Sequence, residues 1–97
     1  FEEIFQDFDV IAMPTSPCTA FPLGSKLQDP LQMYLNDVLT LPANIAGIPG
    51  ISVPAGFSKG LPVGLQFMAG ALQEEKIFRV APAYEKASDW VSCVPDL

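Results

Sequence analysis

Between residues 10 and 73 the chain carries four charges in 64 positions: Lys26, Asp29, Asp37 and Lys59. A free-standing domain of this size leaves roughly 40% of its unfolded surface in water and spreads charge across it. A stretch this poor in charge reads as interior. It predicts that other protein covers these residues, so the chain is a piece of a larger domain or one half of an obligate interface. Phe1 in place of an initiating Met fits a piece. The alternative is a small, weakly charged domain rich in Pro and Gly. The remaining charges stand near the ends, with Glu2, Glu3, Asp7 and Asp9 first and Glu74, Glu75, Lys76, Arg79, Glu85, Lys86, Asp89 and Asp96 last.

Several function classes fall away at once. Five Lys and Arg against 11 Asp and Glu give a net charge of −6 with no histidine, which disfavours direct nucleic-acid binding, because phosphates are met mainly by Lys and Arg. The longest apolar runs are far too short to cross a bilayer. Cys18 and Cys93 lie far apart with no CxxC spacing, so neither a metal knuckle nor a redox pair is expected, and no metal ligand set is assigned. Two cysteines without such spacing leave a reduced compartment as the default, cytoplasmic or, in a eukaryote, organellar.

Ten Pro and seven Gly punctuate the chain into short elements. Phe1, Ile4, Phe5 and Phe8 recur at helical spacing and predict the tail of an amphipathic helix, after which Asp9 turns the chain. Residues 10–13 form a short apolar run stopped by Pro14, as in a strand buried on both faces. Residues 14–30 hold four prolines and predict an extended loop. Leu31, Tyr34, Leu35 and Val38 fit a helix with Asp29 as N-cap and Pro30 at its first position. A shorter helix follows, with Thr40 as cap, Pro42 in the first turn and Gly47 as its end. Residues 50–54 and 61–68 predict an antiparallel hairpin around a loop at 55–60. Residues 73–88 predict a helix whose face holds Ile77, Val80, Ala81, Tyr84 and Ala87. Pro82 contradicts it, removing a hydrogen bond and crowding the Phe78 carbonyl, so a kink or break is expected near 78–82, then a frayed tail at 91–97.

The chemistry available is narrow. Without histidine, Ser-His and Cys-His pairs cannot form within this chain. A Ser-Lys pair is conceivable at Lys26 or Lys59, but no local signature joins either to a serine, and both read as turn lysines beside Gly24 and Gly60. No phosphate loop of the GxGxxG or GK[ST] type occurs. Asp37 stands out, since Tyr34, Leu35, Val38, Leu39 and Leu41 surround it and an unpaired buried carboxylate is expensive. Either it reaches solvent, or it caps the following helix, or it meets a cation such as a ligand ammonium.

The stretch MYLNDVLTLPANIAGIPGISVPAGF (33–57), then GLPVGLQFMAG (60–70), with DVIAMPTSPCTAF (9–21) upstream, closely resembles the C-terminal part of the amidase signature enzymes. Within that family the PTSPCTAF stretch, the DPLQMYLNDVLT block (29–40) and the Pro-Asp-Leu ending are most similar to the glutamine-hydrolysing A subunits of tRNA-dependent amidotransferases. The resemblance covers nearly the whole chain. It implies an α/β fold, the C-terminal portion of the amidase signature fold with a mixed sheet flanked by helices. The expected content is three strands and three or four helices, with 1–97 as one fragment of a single amidase domain.

The resemblance also implies a parent that hydrolyses glutamine and passes ammonia to partner subunits B and C, where glutamate misacylated on tRNA(Gln) is amidated with ATP and Mg2+. Family catalysis uses a Ser, a cis-Ser and a Lys in a Ser- and Gly-rich region that has no counterpart here. No catalytic residue is therefore assigned, no cofactor is expected in this chain, and the isolated piece is expected to be inactive. Asp37 matches the aspartate that receives the glutamine α-ammonium and is the one substrate-binding residue assigned. Asn44, Gly47, Pro49 and Pro54 read as packing and turn residues, and Pro82 departs from the family's usual polar or small residue. Two alternatives stand beside this reading: another amidase signature hydrolase acting on a different amide, or a non-catalytic interaction module.

Overall fold

The computed structural model describes residues 1–23 and 30–94. Gly24, Lys26, the expected N-cap Asp29 and the Pro-Asp-Leu ending at 95–97 lie outside the described residues. In chain order the elements are α1 (Glu2–Asp7), β1 (Val10–Pro14), α2 (Pro30–Asn36), α3 (Leu41–Ala46), β2 (Gly50–Ser58), β3 (Leu61–Ala69) and α4 (Glu74–Ser88). A 3-10 turn at Trp90–Ser92 follows.

The three strands form one sheet in the order β1-β3-β2, with both pairs antiparallel. The β2–β3 hairpin matches the sequence pattern, but its loop is shorter than expected. β2 runs on to Ser58, and Lys59 and Gly60, both at positive φ (52° and 82°), make the turn. Two consecutive left-handed residues suit a tight hairpin because their twist matches that of the strands. The extra length is absorbed by a bulge between Pro54 and Phe57, where Gly56 takes φ 122°.

Side chains alternate across the sheet. Val53, Phe67 and Ala69 face α4, meeting Ile77 and Ala81 in a small core, with Val10, Ile51, Leu65, Val80 and Tyr84 packed against it. The Phe67 and Tyr84 rings meet edge to face at 5.9 Å. Met68, fully buried, and Gln66 alternate with these residues on the opposite face. Gln66 stands opposite Met13 of β1 and Ser52 of β2 in register.

Of the kink or break expected near Pro82, α4 shows no break. Its helix is unbroken from Glu74 to Ser88 with Pro82 inside. Pro82 and Phe78 both lie on its exposed side, so water can reach the carbonyl that Pro82 leaves without a donor. The first-turn acids Glu74 and Glu75 are as expected. The tail also holds on longer than anticipated, because Trp90 packs edge to face on Phe57 at 6.2 Å. At the other end Asp9 turns the chain and pairs with Lys76 at 3.3 Å.

What the core does not cover is as informative. The α2 residues Leu31 and Tyr34 are 63% and 60% exposed, although the sequence pattern assigns them to the buried side. Phe8, Ile45, Leu72 and Phe78 are also more than half exposed. β1, expected to be buried on both faces, runs along a sheet edge with Ala12 and Pro14 exposed. The chain presents 6888 Å² to solvent, against about 5400 Å² for a compact protein of its mass. Its radius of gyration is 14.9 Å and its extents 41 × 32 × 16 Å, where about 12.5 Å would be the compact radius. The chain therefore forms a thin slab with apolar surface left uncovered. No helix among the described residues is long and apolar enough to cross a membrane.

Candidate functional site

A hollow of about 1020 Å³ opens between the segment after β1, the end of α2 and the hairpin. Pro14 ends β1, and the chain bends through residues 15–18, bringing Thr15, Ser16 and Cys18 to one wall. Thr15 stays tied to the sheet through its N–H, which donates to the Gly64 carbonyl at 3.1 Å. Asn36, Asp37 and Thr40 form a second wall, and Ser52, Ser58 and Lys59 line the hairpin side.

Asp37 follows directly on α2, which stops at Asn36 instead of reaching Val38. Residues 37–40 form a tight turn in which the Asp37 carbonyl accepts from Thr40 N and Leu41 N, each at 3.0 Å, and from Thr40 Oγ1 at 3.1 Å. Thr40 thus occupies the N-cap of α3 with its hydroxyl turned back to Asp37, making no side-chain cap bond. The rest of α3 follows the sequence pattern, with Pro42 in the first turn and Gly47 left-handed at φ 68° as C-cap.

The Asp37 carboxylate is exposed and lines the hollow. Among the described residues none donates to it and none pairs with it, the ion pairs being Lys76–Asp9 and Arg79–Glu75. Lys59 sits at the hairpin turn on the rim of the same hollow. Among the described residues the hollow therefore offers one anion, several hydroxyls and no general base paired to a nucleophile. Cys18 and Cys93 are both exposed, and the Cys18 thiol donates to Asn36 Oδ1 at 3.1 Å. No group of three or more His, Cys, Asp or Glu among the described residues could hold a metal ion.

Two features of the site are not legible in the sequence. The Thr15 and Ser52 hydroxyls meet at 2.6 Å across the sheet, and Gln66 Nε2 donates to the Leu39 carbonyl at 3.0 Å, within the turn that carries Asp37. The available signal for the second is a lone amide in the apolar run 61–69.

Residues 1–78 match the family model described as Amidase. The A subunit of glutamyl-tRNA(Gln) amidotransferase of Roseiflexus sp. (strain RS-1) is 50% identical over 97 residues, covering all of this chain and 20% of that protein. The protein of the same name from Chloroflexus aggregans is 52% identical over the same span, again 20% of its length. The crystal structure of the corresponding glutamyl-tRNA(Gln) amidotransferase A subunit from Thermotoga maritima superposes with a TM-score of 0.86 at 50% identity, over 90% of this chain and 19% of that one. The chain thus spans about one fifth of the length of the relatives it matches.

Proposed function

The chain belongs to the amidase family and shares its α/β fold, and from that membership we propose that it is the C-terminal part of a glutamine-hydrolysing amidotransferase subunit, forming one wall of the glutamine pocket. What supports this most is the 50% identity across all 97 residues to proteins named as that subunit, carried on a backbone that superposes on one of them. The uncovered apolar surface of the slab agrees, because the remaining four fifths of such a protein would lie against it.

In this reading Asp37 receives the α-ammonium of glutamine. The turn at 37–40 presents the carboxylate to the hollow with no cation from the described residues already on it. A substrate ammonium would complete a charge-assisted hydrogen bond there. The α-carbon stands three bonds from the amide carbon, so Asp37 selects and holds the substrate and takes no part in breaking the C–N bond. The nucleophile and its activating groups belong to the part of the parent that precedes residue 1. ATP and Mg2+ are assigned to the parent complex, whose partner subunits use the released ammonia to amidate glutamate on tRNA(Gln), and the assembly is cytoplasmic, or organellar in a eukaryote.

Steady-state glutaminase kinetics of the full-length enzyme test this. Asp37→Ala should raise the glutamine KM by about tenfold or more, the size expected for losing a charged hydrogen bond, while kcat changes much less. An unchanged KM would remove Asp37 from the pocket.

A further inference from the structure

Gln66 is 4% exposed, in the middle of the central strand β3. A primary amide at such a position is costly unless its polar atoms find partners. Its Nε2 finds one 27 residues away, the Leu39 carbonyl, at 3.0 Å. Leu39 is two residues beyond Asp37 in the 37–40 turn. The bonds that the Asp37 carbonyl accepts from Thr40 and Leu41 are internal to that turn and its helix, so they fix its shape and would move with it. The Gln66 bond fixes its place relative to the sheet, and β3 is held by ladders on both sides.

We propose that Gln66 is a positioning residue for glutamine recognition: by holding the Leu39 carbonyl, it sets where the Asp37 carboxylate stands above β3. This rests on the reading of Asp37 given above. The role requires a donor. A carboxylate at position 66 would set acceptor against acceptor, and a thioether would leave the Leu39 carbonyl without a donor. Either change frees the turn to shift, and a charge-assisted contact weakens quickly once its geometry is lost.

The experiment uses the full-length protein in its assembled enzyme, with Asp37→Ala, the near-isosteric Gln66→Glu and Gln66→Met, and the double variant Asp37→Ala/Gln66→Met. Two substrates are compared: glutamine, and glutaramate, which is glutamine without its α-amino group. Both Gln66 variants should raise the glutamine KM about fivefold, with kcat within about twofold. They should leave the glutaramate KM unchanged, and the double variant should be no worse on glutamine than Asp37→Ala alone. A general loosening of the fold would raise both KM values together, and that result overturns the proposal. So does additivity in the double variant, or failure of both Gln66 variants to fold, which would make the residue structural. A glutamine KM raised by Asp37→Ala and untouched by either Gln66 variant overturns the role of Gln66 and leaves Asp37 standing. A KM untouched by Asp37→Ala overturns both.

Discussion

The hydroxyls of Thr15 and Ser52 stand 2.6 Å apart and close over the central strand. Gly64 passes beneath them, and a Cβ there would lie 2.8 Å from each oxygen, closer than packed atoms tolerate. Gly64→Ala should therefore force the two edge residues apart and lower stability by about 1–3 kcal/mol, read as a lower denaturation midpoint of the full-length protein. Removing both hydroxyls in the same background, with Thr15→Ala and Ser52→Ala, should recover part of the loss. An unaltered midpoint for Gly64→Ala would contradict the packing described.

Gly56 poses the opposite problem. A Cβ there would meet Trp90 at an ordinary 3.5 Å, so space is available, but φ of 122° lies in a region that L side chains rarely enter. Gly56→Ala should cost about 1–3 kcal/mol through backbone strain. Relief of the bulge should also shift Phe57 away from Trp90, and a change in Trp90 fluorescence in a variant retaining that tryptophan alone would report it.

Pro82 offers a gain. Pro82→Ala restores an N–H that can donate to the Phe78 carbonyl in the middle of α4, on a side of the helix that no described residue buries. The expected effect is stabilisation of about 1–3 kcal/mol, seen as a higher denaturation midpoint with the slope preserved. A lower midpoint would mean that the helix depends on the proline's shape.

The 97 residues on their own should associate and should not hydrolyse glutamine. Leu31, Tyr34, Ile45 and Phe78 are each more than half exposed, and apolar patches on an isolated chain are covered by other copies when nothing else is present. Sedimentation should show species larger than 10.4 kDa, growing with concentration. A monomer that releases ammonia from glutamine would refute both statements.

Local chemistry makes much of this fold legible. Pro42 and Gly47 mark the ends of α3 because each acts through its own backbone torsion, with no need of a distant partner. The hairpin loop reads too long because Gly56 and Gly60 look alike in sequence, whereas one serves a bulge and the other a turn. Pro82 reads as a kink or break because its cost is local, while the packing of Ile77 and Ala81 that keeps the helix continuous comes from the sheet. At the site, Asp37 announces itself as a charge among apolar neighbours. Its tie to the sheet does not, since Gln66 and Leu39 meet across 27 residues and no periodicity encodes that pairing.

β3 takes its ladders on both sides from this chain, whereas β1 and β2 each keep one outward row of backbone groups without a strand partner among the described residues. Those rows are ready to accept further strands. A sheet can thus be widened from either flank without disturbing the alignment that places Gln66 beneath Leu39, and the anchoring of the Asp37 turn travels intact with these three strands whatever is built around them.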